Sequence, residues 1–127
     1  MKELILGDGV KTNTTLSTIS SLNKAKRLEY IDIRGCKNIK TIDLSELIYL
    51  KQFIASGSGL TSIKLPKGSG ITKLQLPNTI QTLRLEQLTS LTSSGIIFED
   101  GGKSIKKLEI VNCPNLSKNI NFFEQWV

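Results

Sequence analysis

The stretch "LTSIKLPKGSGITKLQLPNTIQTLRL", residues 60–85, states one pattern three times. Leu60, Ile63 and Leu65 are followed by Ile71, Leu74 and Leu76, and these by Ile80, Leu83 and Leu85. Written as L-x-x-L-x-L with any apolar residue at L, the pattern also fits "LEYIDI" at 28, "IKTIDL" at 39, "LKQFIA" at 50 and "IKKLEI" at 105. "MKELIL" at 1 fits with Met1 in the first slot. Successive starts from 28 to 80 lie 9–11 residues apart. Repetition at a near-constant spacing outranks any local propensity in deciding the fold.

The x-L-x-L core alternates inward and outward, as a short strand does. The leading aliphatic comes one turn earlier and also points inward. One unit cannot bury this edge by itself, so units must stack, each strand bonding to the next at about 4.8 Å. A closed coil has two sides, and the units pair accordingly. Starts at 28, 50 and 71 recur every 21–22 residues on one side, and starts at 39, 60 and 80 occupy the other. "LKQFIASGSGL" reads as L-x-x-L-x-L-x-x-N-x-L with Ser58 in the Asn slot, where a side chain is expected to cap the turn. "LEYIDIRGCKNI" and "IKKLEIVNCPNL" are the cysteine form of that motif.

Two places break the register. In the segment between 6 and 28, Leu16, Ile19 and Leu22 fall at helical spacing, with Asn13, Thr14 or Thr15 as the cap. This predicts a long first coil with a short helix opposite its strand. In "LTSSGIIFEDGGKS", residues 91–104, Ile96 and Phe98 supply the L-x-L of their coil and "EDGG" a turn. The close, "SKNINFFEQWV", leaves the pattern and gathers Phe122, Phe123 and Trp126. A solenoid must cover its last coil, so this segment reads as a cap, or else as a docking segment for a partner.

The L-x-x-L-x-L-x-x-N/C-x-L motif over residues 28–116 resembles the leucine-rich repeat class. The stretches "LTSIKLPKGSGITKLQLPNTIQTLRL" and "KKLEIVNCPNL" look like the irregular repeats of gut Bacteroidetes proteins and of virion proteins of their tailed phages. "LPNTIQTL" also resembles a second short-repeat family with Pro-Asn starts, and the turn chemistry leaves that choice open. The resemblance implies a solenoid that binds proteins or builds structures without catalysis. The cysteine-rich caps of secreted eukaryotic members are missing, which argues against an extracellular receptor of that type. The expected fold is a single leucine-rich repeat solenoid over 1–127, mostly β, with short parallel strands stacked coil on coil. Residues 1–27 form the long N-terminal coil with its helix, 28–116 the short repeats and 117–127 the C-terminal cap.

The 127 residues suffice for one domain, and 39% hydrophobic with 22% charged content is ordinary for a globular chain. No apolar run approaches the roughly 18–20 residues that span a bilayer, and "MKELILGDGV" lacks the features of a signal peptide. Membrane insertion is not expected, and action outside a cell would require transport within something larger. The net charge of +6 invites a nucleic-acid reading. The lysines are spread along the chain, however, with "KAKR" at 24–27 the longest cluster, and they lack interleaved stacking aromatics. The charge reads as a solvated surface, with no nucleic-acid partner.

The chain has no histidine, which removes Ser-His and Cys-His nucleophile pairs and the commonest zinc ligand. Cys36 and Cys113 fill the inward ninth slot of their units, three to four coils apart, hence roughly 15 Å or more. A disulfide needs Cα atoms within about 7 Å, so both read as buried free thiols suited to a reducing cytosol or to assembly into a virion. The two "GSG" runs precede strands, not helices, and read as tight corners in preference to phosphate loops. The carboxylates Glu99–Asp100 and Asp32–Asp43 lack the enclosed setting that acid–base chemistry needs. No metal, cofactor or catalytic set is expected, and the chain reads as a non-enzyme.

The surface rows say more. Between the inward pairs, one side presents Asp43, Lys64, Arg84 and Glu109, with opposite charges adjacent at Asp43–Lys64 and Arg84–Glu109. The other presents Ile5, Asp32, Ile54, Gln75 and Ile97, with Tyr30 and Gln52 beside them. Aliphatics in a row where water is expected suggest a contact face, although single surface apolars are common. The expected face is therefore Tyr30, Asp32, Gln52, Ile54, Gln75 and Ile97. Its partner is a protein, self-association included, within a larger assembly such as a phage particle. The alternative is a glycan- or host-surface-binding adhesin that uses Tyr30, Gln52 and Gln75.

Overall fold

The computed structural model describes residues 3–8, 25–92, 94–99 and 103–116. The helix expected around Leu16, Ile19 and Leu22, the turn at 100–102 and the closing segment 117–127 lie outside the described residues.

The described chain is a stack of short strands: β1 (Glu3–Asp8), β2 (Tyr30–Arg34), β3 (Thr41–Asp43), β4 (Gln52–Ile54), β5 (Ser62–Lys64), β6 (Lys73–Leu76), β7 (Thr82–Glu86), β8 (Ile96–Phe98) and β9 (Lys107–Val111). Every pairing is parallel. One side of the coil is a five-stranded sheet in the order β1-β2-β4-β6-β8. The other carries β3-β5 and β7-β9 as separate pairs. Between β5 and β7 the bonds are made at the base, where the N–H groups of Gln81 and Thr82 donate to the Thr61 carbonyl at 2.8 and 3.3 Å.

The repeat maps onto this solenoid. The leading aliphatics Leu28, Ile39, Leu50, Leu60, Ile71 and Ile80 are fully buried, as are Ile31, Ile33, Phe53, Leu74, Leu76 and Leu85 within or beside the strands. Corners keep the core continuous by changing the period from two to three. A turn closed by an N–H(i+3)→O(i) bond brings its first and fourth residues to the same side. Two such turns run back to back at Ile33, Cys36 and Ile39, and again at Leu44, Leu47 and Leu50, closed at 3.0–3.2 Å. All six of those side chains are buried. Pro66 and Pro77, which have no N–H to give a ladder, each open a turn closed by Ser69 and Ile80.

The "GSG" glycines are corners. Gly57 and Gly68 have φ of 74° and 79°, a region that costs a side chain about 1–2 kcal/mol. Gly59 is constrained by space: a Cβ there would stand 2.0 Å from the Lys37 carbonyl oxygen of the coil before. Ser58 departs from expectation. It is buried, and its hydroxyl makes no hydrogen bond among the described residues, nor does that of Ser69. The turn is closed by the backbone bond from Ser58 N–H to the Ala55 carbonyl at 3.0 Å, so no side-chain cap is needed. The slot is an apolar corner, held by Cys36, Leu47 and Leu88 in other units.

Two results are expected in denaturant titrations. Gly59→Ala forces neighbouring coils apart and lowers stability by about 2–3 kcal/mol, while Gly70→Ala, where a Cβ meets nothing within 4 Å, raises it by up to about 1 kcal/mol. Ser58→Ala removes an unsatisfied buried hydroxyl and is neutral to stabilising by about 1 kcal/mol. A loss of more than that would mean the hydroxyl has a partner.

Candidate interaction face

The register of the five-stranded sheet decides which side chains stand together. Ile5 pairs with Asp32, Asp32 with Ile54, Ile54 with Gln75 and Gln75 with Ile97. The expected row is therefore contiguous in the backbone. A second row runs from Tyr30 to Gln52 to Lys73. Lys73 is missed by a reading of the L-x-L centres alone, and extending each row by one strand position would have found it.

Burial corrects the expected face. Ile54 is 4% and Asp32 1% exposed, so neither is open to a partner, whereas Ile97 is 44% exposed. Tyr30, Gln52 and Gln75 are half-buried. Strand alternation shows which way Asp32 and Ile54 point, but their neighbours close over them. Arg34, two residues along the same strand, folds back onto Asp32. Its Nε lies 3.1 and 3.0 Å from the two carboxylate oxygens and its terminal nitrogen 2.9 Å from Oδ2, and the Arg34 backbone N–H donates at 3.0 Å. Gln75 leans toward β4, its Oε1 accepting from Ser56 Oγ at 3.2 Å. Ile54 is flanked by these two groups. Asp32 thus has an enclosed setting after all, and its carboxylate is held by both the guanidinium and the backbone N–H of Arg34. That is a structural clamp.

What remains accessible is a shallow groove lined by Glu3, Glu29, Tyr30, Lys51 and Gln52, continued by Lys73 and Gln75 toward Ile97. Lys51 pairs with Glu29 at 3.2 Å. Partial burial raises the Tyr30 phenol pKa, and the nearby Asp32 carboxylate adds to the shift, so the hydroxyl stays protonated as a hydrogen-bond donor.

The opposite side is built differently. Arg84 Nη1 meets Glu109 at 2.6 Å and its Nε and Nη2 meet Glu86 at 3.1 and 3.0 Å. Lys67 joins Glu86 at 3.2 Å and Lys107 joins Glu109 at 3.3 Å. The carboxyls of Glu86 and Glu109 are held below their ordinary pKa by these partners. Asp43 and Lys64 are in register, yet Asp43 binds its own turn, accepting from Ser45 N–H at 2.9 Å and Ser45 Oγ at 2.5 Å. The expected Asp43–Lys64 pair is replaced by this local bond, which needs no long side chain to be ordered.

Cys36 and Cys113 are both buried free thiols. They follow β2 and β9, on opposite sides of the coil. Burial raises the Cys36 pKa, and Asp32 adds to the shift, so Cys36 resists both ionisation and attack. Among the described residues no three His, Cys, Asp or Glu side chains are grouped to hold a metal ion.

Compared with protein-family models, curated proteins and solved structures, the chain gives no significant match.

Cys36 supplies a pH test. Between the unfolded thiol pKa of about 8.5 and the raised folded value, the unfolded chain binds fewer protons, so stability falls as pH rises through this window. Cys36→Val is expected to flatten the decline. Native alkylation at pH 8 should run more than about tenfold slower than in denaturant. Rapid labelling of Cys36 in the folded protein would overturn its inward placement and with it the register of the rows.

Proposed function

We propose that this chain is a non-catalytic interaction or assembly module of the leucine-rich repeat type. The outer face of its five-stranded sheet, with Tyr30, Gln52, Lys73, Gln75 and Ile97 accessible, docks a protein partner. The observation that carries this reading is the contrast between the two sides. On one, the exposed row is consumed by ion pairs among Lys67, Arg84, Glu86, Lys107 and Glu109. On the other, Asp32–Arg34 and Glu29–Lys51 pair locally, and beside them a tyrosine, two amides and an exposed isoleucine remain accessible, with aromatics enriched where proteins meet. The repeat type rests on the L-x-x-L-x-L-x-x-N/C-x-L motif, and a place in a larger particle rests on the likeness to phage virion repeats. A second reading, a glycan-binding adhesin, is favoured by the groove beside Tyr30, whose ring and protonated hydroxyl suit a sugar.

Light scattering across a wide concentration range separates the two. Self-assembly through this face predicts a mass that rises with concentration in the wild type and stays monomeric in Ile97→Asp, with unchanged circular dichroism. Ile54→Asp is a poor probe, because burying a carboxylate there unfolds the chain whatever the partner. A monomer at all concentrations, together with saccharide binding lost in Tyr30→Ala, would move the assignment to the adhesin.

A further inference from the structure

Beyond the sheet face, one corner of the coil carries a surface of a different kind. Ile48 and Tyr49, at 55% and 58% exposed, are the central residues of the turn closed by Leu50 N–H on the Leu47 carbonyl at 3.0 Å. In the coil before, Leu28 N–H closes the same turn on Ala25 at 3.1 Å, which puts Lys26 and Arg27 in its centre. The strands that follow pair Tyr30 with Gln52, an offset of 22 residues. Lys26 therefore corresponds to Ile48 and Arg27 to Tyr49, one strand spacing of about 4.8 Å apart. Both cations are exposed, and neither pairs with a carboxylate among the described residues. In the coil after, the corner holds Gly70, where even a Cβ would meet nothing within 4 Å. The isoleucine and tyrosine thus stand proud of the corner, with cations on one flank and bare backbone on the other. Glu46, one turn earlier, is the acidic residue of that corner, and Lys51 beside it is occupied by Glu29.

We infer that this corner is a peripheral docking site for an anionic lipid bilayer. The apolar pair stands exposed at the corner, next to two cations that pair with no carboxylate among the described residues. A protruding aliphatic and a tyrosine suit the interfacial layer, where the ring is apolar in body and polar at its tip. Lys26 and Arg27 lie at the same corner, placed for headgroup phosphates, and each is worth about a five-fold gain near an anionic surface. Two apolar side chains and two cations give weak, reversible, salt-sensitive adsorption, strengthened when several copies engage together. No spanning segment is required.

Co-sedimentation with phosphatidylcholine vesicles, with and without about 30% phosphatidylserine, tests this. The full chain is expected to pellet with the anionic vesicles alone and to be released at about 0.5 M salt. Ile48→Ser with Tyr49→Ser should weaken binding at least about tenfold, and Lys26→Gln with Arg27→Gln about 25-fold. All four residues are exposed, so unchanged thermal unfolding will confirm that each variant is folded. The inference is overturned by absent binding, by equal binding to neutral vesicles, or by anionic binding that the Ile48/Tyr49 variant leaves intact. Soluble polyglutamate that binds as tightly as the vesicles and depends on the same residues would assign the corner to an acidic protein instead. Loss of the sheet-face association in Ile97→Asp has no bearing on this result.

Discussion

Backbone hydrogen bonding between consecutive coils is the constraint on which the rest of this molecule depends. A coil of about 22 residues has too little interior to bury its own aliphatics. It becomes stable when Glu29 accepts from Lys51 and Gln52 of the next coil, and when Lys51 in turn accepts from Thr72. This ladder sets the coil spacing, and the spacing sets everything lateral. It leaves no room for a Cβ at Gly59, brings Thr79 Oγ1 within 2.7 Å of the Leu60 carbonyl, and lines up equivalent side chains in rows. Row composition, not any single residue, then distinguishes one side of the solenoid from the other.

The rows themselves were legible. A period of two within strands and a recurrence of 21–22 residues between them suffice to place Asp32, Ile54, Gln75 and Ile97 in register and to turn both cysteines inward. Burial across a row was not legible. Alternation reports which way a side chain points but not what closes over it. The Arg34 clamp on Asp32, the Ser45 bond to Asp43 and the lean of Gln75 toward Ser56 are choices of side-chain conformation with no trace in the apolar pattern. The corners were half legible. Their glycines announce themselves, but the change to a period of three shows up only as an apolar residue in a slot read as polar. That is why Ser58 was assigned a cap that the backbone already supplies. Lys73 and the exposed Ile48–Tyr49 pair were missed for a related reason, since both lie off the L-x-L centres.

The two sides and the corner divide the surface by chemistry. Glu86 and Glu109 are each shared between cations, which gives a face whose exposed ion pairs satisfy one another and weaken as salt rises. The five-stranded face keeps a phenol, amides and an isoleucine accessible around the Asp32–Arg34 clamp, in which a half-exposed guanidinium covers a buried carboxylate on β2. The corner at Ile48 and Tyr49 adds an apolar apex next to cations that pair with no carboxylate among the described residues. A chain of repeats acquires such variety cheaply, because each outward position varies without disturbing the inward ones.

The unequal continuity of the two sides has a mechanical meaning. One side is a single rail of five strands, and the other is interrupted between β5 and β7, where Gln81 and Thr82 N–H donate to the Thr61 carbonyl and Thr79 Oγ1 to the Leu60 carbonyl. A stack with one continuous rail and one jointed rail bends preferentially about the intact rail. A load across such a stack is expected to act first on the side whose strand ladder is interrupted.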